Sequence, residues 1–155
     1  MSIPFGNHDR AKASEHGVVL RRRLSAPVGD VVRVLPLIAG RLTEKLFLSI
    51  PSAGSTVTLP IDVVMAPLAQ EWRWLLKVRS PSKDAGAEFF DGEIRLPDLP
   101  AAATEVMLVG RFTVLDEFRR QHLGEDEVRR IAEDNLMRIL ESLVLEVDAT
   151  IADRP

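Results

Sequence analysis

The chain has 155 residues, a formal net charge of −3, no cysteine and no tyrosine. That length suits one domain with a real core, and the mild acidity lacks the basic footprint of a nucleic-acid binder. Disulfides and thiol chemistry are excluded outright, and no apolar run nears the ~18 residues that a membrane span needs.

Met1 to Glu15 is polar and mixed in charge, without the apolar stretch of a signal peptide. It is expected to be a flexible lead, with residues 16–153 forming the single domain in a cytoplasmic protein. Gly17 to Ser25 reads as the first strand, with Leu20, Arg22 and Leu24 on one face. The Arg21-Arg22-Arg23 run reads as solvated strand residues; an anion patch is the alternative.

Ser25 is a good N-cap before Ala26-Pro27-Val28. Val28, Val31, Val32 and Leu35 follow at helical spacing. Pro36 is expected to end that helix, and a second short one to run from Leu37 to about Glu44. Lys45 to Ile50 is a short apolar strand, and Pro51 to Ser55 is turn chemistry.

From Thr56 to Met65, residues Val57, Leu59, Ile61, Val63 and Met65 alternate with mostly polar ones, the mark of a strand with one buried face. Pro60 marks an edge or bulge in it. Glu71 to Arg79 alternates more cleanly, with Trp72, Trp74, Leu76 and Val78 on one side. After a loop over 81–86, Phe90, Ile94 and Leu96 oppose Asp91, Glu93 and Arg95. Glu105 to Asp116 is the longest strand, apolar on both faces and therefore central or doubly covered.

The remainder, Gly124 to about Asp153, reads as one long amphipathic helix. Gly124 stands at the N-cap, and Glu125, Asp126 and Glu127 fill the first turn, where carboxylates suit the helix dipole. Val128, Ile131, Ala132, Leu136, Ile139, Leu140, Leu143 and Val147 make the apolar stripe. Asn135 falls at its margin, either exposed at the edge or buried and obliged to find partners.

Chemistry is less legible. His8, His16 and His122 form no ligand pair, so no metal site is expected. There is no G-x-S-x-G, G-x-G-x-x-G or Walker sequence, and no cofactor is expected. Asp91 and Glu93 share a strand face, which permits a carboxylate pair but is more simply a solvated face. No catalytic residue is assigned.

The order is strand, two short helices, about five more antiparallel strands and a long C-terminal helix. Carried by Ser25-Ala26-Pro27, the Pro36 break, the strand to Asp116 and the amphipathic Val128 to Val147, this α+β architecture resembles the START-like helix-grip (SRPBCC) superfamily. The resemblance implies a curved antiparallel sheet of about six strands wrapped around the long helix, with an apolar cavity between them. Members bind lipids, sterols or polyketides, and some are cyclases or hydroxylase components. The absence of tyrosine and the few inward polar residues depart from the cyclases.

The expected function is non-catalytic binding of a hydrophobic small molecule (lipid, polyketide or aromatic). Trp72, Trp74, Phe90, Phe112, Ile131, Asn135 and Ile139 are the expected lining. Two alternatives stand beside it. One is a cyclase or dehydrase using the same cavity. The other is an interaction module with a filled core and an apolar patch near Val64, Met107 and Val109, of which a homodimer is the simplest form.

Overall fold

A computed structural model describes residues 16–69, 72–79, 88–96 and 104–153. The expected lead over 1–15 and the expected loop over 81–86 lie outside them. Strand β1 (Gly17–Leu24) is followed by helix α1 (Val28–Lys45) and the hairpin β2 (Phe47–Ser52) and β3 (Ser55–Pro60). Then come β4 (Asp62–Pro67), β5 (Arg73–Arg79), β6 (Glu88–Arg95) and β7 (Thr104–Phe112). The short helix α2 (Asp116–Arg120) and the long α3 (Glu125–Ala152) complete the order.

Two features correct the sequence reading. Among the described residues the strands number seven, because the stretch Thr56 to Met65 is two strands. It breaks at Pro60-Ile61, and its halves belong to different sheets. One sheet runs β1-β7-β6-β5-β4, all antiparallel; the other is the β2–β3 hairpin. Proline cannot donate to a ladder, so Pro60 serves as the last residue of β3 and frees the chain to turn.

The second correction concerns α1, which is one helix running through Pro36 with Pro27 rather than Ser25 as its N-cap. Magnitudes explain why. A proline inside a helix costs ~3 kcal/mol. The stripe Val28, Val31, Leu35, Ile38 and Leu42 continues across it and is at most 8% exposed. Burying each such side chain is worth about 1.5–3 kcal/mol, so five outweigh the proline. Pro36 itself is exposed, on the side where a helix curving around a core is convex.

Helix α1 packs on α3 and reaches β4, while α3 also touches β1 and β2. The apolar stripe of α3 is buried throughout, from Val128 to Val147. Three straps fix the layers. Thr104 Oγ1 donates to the Ala26 carbonyl at 2.6 Å, Arg129 Nη2 to the Gly17 carbonyl at 2.6 Å, and Arg41 Nη1 to Thr150 Oγ1 at 3.2 Å. No described helix is long and apolar enough to cross a membrane.

Candidate functional site

The inner face of the large sheet can be read row by row from its register. Val78, Phe90 and Phe112 form one row; Leu76, Gly92, Gly110 and Val18 the next; Trp74, Ile94, Leu108 and Leu20 the third. Trp74, Phe90 and Phe112 are 6%, 0% and 3% exposed, and Ile131 and Ile139 of α3 are buried in the same core. Trp72 lies just before β5 and is half-buried against that core; its carbonyl accepts the Leu96 amide.

The middle row has no side chain on its central two strands. A Cβ on Gly92 would stand 2.3 Å from the Val109 carbonyl oxygen and 2.6 Å from the tip of the Phe90 ring. On Gly110 it would meet the Asp91 carbonyl oxygen at 2.5 Å and the same ring tip at 2.6 Å. The Phe90 ring therefore lies across a bare glycine pair, which lets the sheet bend closely around its contents.

A bulge between Val78 and Arg79 skips Phe89, so Phe89 and Phe90 are both fully buried despite being consecutive. Phe118 of α2 packs on Phe89, with ring centroids 6.1 Å apart. The alternation pattern missed Phe89; its one signal was the Phe-Phe doublet at the start of a strand.

Asn135 is 1% exposed and saturated. Its Oδ1 accepts from the Ser49 amide at 2.8 Å and Arg138 Nη2 at 2.9 Å. Its Nδ2 donates to the Ser49 carbonyl at 3.0 Å and the Ile131 carbonyl at 2.8 Å. A side-chain amide has two donor hydrogens and two acceptor positions, and all four are used inside the protein. Arg138 also donates to the Phe47 carbonyl and lies over the Phe47 ring, so β2 is clamped to α3 at two points. Trp74 differs: its Nε1–H is buried and has no hydrogen-bond partner among the described residues.

At one end of the grip two clefts of about 510 and 500 Å³ adjoin and share His16, Val114 and Arg119. Phe112 lines the first, Leu123 and Val128 the second. Phe112 and Val128 also belong to the buried core, so they stand between cleft and interior. The His16 ring meets Phe112 edge-on with centroids 5.0 Å apart. The rim is charged, with Glu88, Asp91, Arg111 and Arg119 around the first cleft. These residues are remote in sequence, and no local pattern announces them.

Asp91 and Glu93 both lie on the outer face. Arg73 Nε donates to Glu93 Oε1 at 2.6 Å, and Arg95 Nε to the same oxygen at 3.1 Å. The hydrogen bond from Arg73 is the main force holding the Glu93 carboxyl below the ordinary glutamate range, and it raises Arg73 in turn. Glu93 is thereby fixed as a carboxylate. Because its folded pKa is depressed, the stability it adds is complete above the unfolded pKa and is lost as pH falls through the folded one. Glu93→Gln should flatten the acid side of the stability profile, with the two proteins converging at low pH; urea midpoints from about pH 6 to about pH 3 measure this.

The exposed apolar residues of the outer face lie in different rows: Val64 pairs into Lys77, Asp91 and Arg111, and Val19 into Val109, Glu93 and Leu75. Among the described residues no three His, Cys, Asp or Glu side chains gather as metal ligands.

No protein-family model matches the chain, and no curated protein matches it in sequence. Solved structures do match in fold. The Zhui aromatase/cyclase from Streptomyces sp. R1128 superposes with a TM-score of 0.50 at 19% identity, over 85% of this chain and 93% of that one. The di-domain ARO/CYC BexL from the BE-7585A biosynthetic pathway gives 0.57 at 13% identity, over 96% of this chain and 55% of that one. The chain thus spans about half the length of the di-domain protein. The fold is α+β, START/SRPBCC-like: a helix grip of antiparallel strands closed by a long C-terminal helix.

Proposed function

We propose that this helix-grip chain binds a hydrophobic small molecule between its sheet and α3 and performs no chemistry on it. The observation carrying this reading is the double cleft at the end of the grip. Each part is of ordinary ligand-pocket size, and its back wall, Phe112 and Val128, is also the edge of the apolar interior. The fold likeness to two aromatase/cyclases supports a ligand of that general kind, flat and mostly apolar.

In this reading Phe112 is the expected lining residue that borders the cleft, while Trp74, Phe90, Ile131 and Ile139 form the packed apolar core behind it, with Trp72 at that core's margin. Asn135, its hydrogen bonds all taken within the protein, serves as framework. The charged rim keeps the mouth wetted and leaves the interior to apolar contact.

Native mass spectrometry of the purified chain, with displacement of a fluorescent fatty acid by lipid and aromatic panels, tests the proposal. A co-purifying molecule or saturable displacement is expected. No bound species and no displacement across both panels would sink it. Val114→Trp, at the residue shared by both clefts, should weaken binding about tenfold or more; unchanged affinity in that variant would show that the ligand does not pass this way.

A further inference from the structure

Resting on that binding reading, we infer that the segment from Val114 to Leu123, which carries α2, is the gate of the binding site, and that Phe118 is its latch. The binding reading needs a moving part. Phe112 and Val128 stand between the clefts and a packed interior. A molecule seated in a cleft goes no deeper while every wall stays in place.

The walls differ in how firmly they are held. The first cleft is bounded by the laddered ends of β6 and β7, and the second by the opening turns of α3. Thr113, just after β7, is still tied to the sheet, its amide donating to the Phe89 carbonyl at 2.7 Å. The wall that remains is this one segment. Val114 and Arg119 line both clefts, and Leu123 lines the second.

Its backbone is the loosest of these walls. Among the described residues its backbone hydrogen bonds stay within it, as from the Phe118 amide to the Leu115 carbonyl and from the His122 amide to the Arg119 carbonyl, both 3.0 Å. No described helix or strand packs along α2, and five residues are too few to hold a helix by themselves. His122 turns the chain out of α2 at φ 56°, in the left-handed region that favours glycine, so the closed segment carries strain that opening releases. What holds it to the core is apolar contact. Phe118 is fully buried with its ring 6.1 Å from that of Phe89, Leu115 is 8% exposed, and Val114 and Leu123 are partly buried beside them. The Phe118 ring is the largest of these anchors. When it leaves Phe89 the two clefts merge and apolar surface is uncovered for the ligand; when it returns, the site is shut over its contents.

The test is kinetic, on the full chain, with 11-(dansylamino)undecanoic acid as the fluorescent probe in stopped flow. Should that probe not bind, the tightest member of the lipid and aromatic panels replaces it, followed by tryptophan fluorescence. A latch holds the closed state with or without ligand, so weakening it speeds entry and exit alike. Phe118→Ala should raise the association and dissociation rates each about tenfold or more and leave Kd within about threefold. In the unmodified chain the Phe118 and His122 amides should exchange at a rate that low urea does not change, while amides of β6 and β7 exchange faster as urea is added. Should Phe118→Ala fail to fold, Phe118→Leu, with the same pattern at smaller amplitude, and the urea dependence in the unmodified chain decide the matter.

An unchanged association rate would overturn the inference. So would an affinity lost through dissociation alone, which would make Phe118 a wall of the site and not its latch. Flap amides that follow urea as those of β7 do would also overturn it, because the segment would then open only when the whole chain unfolds. In each of these cases the binding reading stands. Failure of the probe and of both panels to bind removes that reading, and the gate with it.

Discussion

Gly110→Ala, and separately Gly92→Ala, should each cost about 3 kcal/mol of stability, at the upper end of what overpacking a core does. With a slope of ~2 kcal/mol/M this lowers the urea midpoint by about 1.5 M. The reason is that a methyl group at either position meets backbone, not merely a movable side chain. The Val109 carbonyl oxygen stands 2.3 Å from the Gly92 Cβ, and the Asp91 carbonyl oxygen 2.5 Å from that of Gly110. Both strands would have to separate to admit it.

A second substitution distinguishes this from simple crowding by the ring. Phe90→Leu removes the ring tip from both glycines but leaves the carbonyl contacts, so it should rescue either alanine variant only in part. Full rescue would mean that the ring alone forbids the methyl. Gly29→Ala is the control: nothing lies within 4 Å of its Cβ, and it sits in the exposed first turn of α1. It should be neutral or stabilise by up to about 1 kcal/mol.

Asn135→Leu should cost a similar amount, about 3 kcal/mol, by a different route. The leucine matches the shape of asparagine but leaves the Ser49 N–H and C=O without their partners, at about 1–3 kcal/mol each where water cannot reach. Ser49 is half-buried, which holds the sum toward the lower part of that range. The loss is expected to be local first. Amides of β2 and β3 should exchange faster by more than those of β6 and β7, since the hairpin shares no ladder with the large sheet. A variant whose β2 amides keep their protection would show that apolar packing alone holds the hairpin to α3.

How much of this was legible beforehand follows from which forces are local. The long helix was, because its cap, its acidic first turn and its stripe from Val128 to Val147 are all written within one contiguous stretch. So were the inner faces of β5 and β6, where Trp74, Phe90 and Ile94 alternate with charged residues. The continuity of α1 was hidden because it depends on burial against α3, more than eighty residues away, which outweighs a local rule about Pro36. The split at Pro60 was hidden for the opposite reason. The alternation from Val57 to Met65 continues unbroken on both sides of it, and only pairing partners reveal that the two halves part.

The site itself was half legible. Apolar lining residues declare themselves by periodicity, and Asn135 was flagged because a polar residue beside an apolar stripe needs partners. That those partners would be the backbone of β2, and not a ligand, depends on the register of a hairpin the sequence leaves open. The cleft around His16, Val114 and Arg119 joins the start of β1 to the segments flanking α2 and had no local signature. Gly92 and Gly110 carried a faint one, since glycine within a strand marks close approach of backbone.

The pairing of β1 with β7 sets a condition on how the chain comes to be made. Leu24 pairs with Thr104 and Gly17 with Arg111, so some 80 to 95 residues separate partners in this ladder. At about 5–20 residues per second, the ribosome needs roughly 5–20 s to deliver β7 after β1 has emerged. The β2–β3 ladder is local and can form in that interval, whereas α1 and the seat of the hairpin both wait for α3. The apolar row of β1 cannot be covered until β7 and α3 have been made, and the high contact order makes that closure slow. The three consecutive arginines Arg21-Arg22-Arg23 fall in that waiting strand. Their charge keeps an unpaired edge soluble in that interval and goes on doing so afterwards, since β1 remains an edge of the finished sheet, where Arg21 and Arg22 also pair with Glu105 and Glu141.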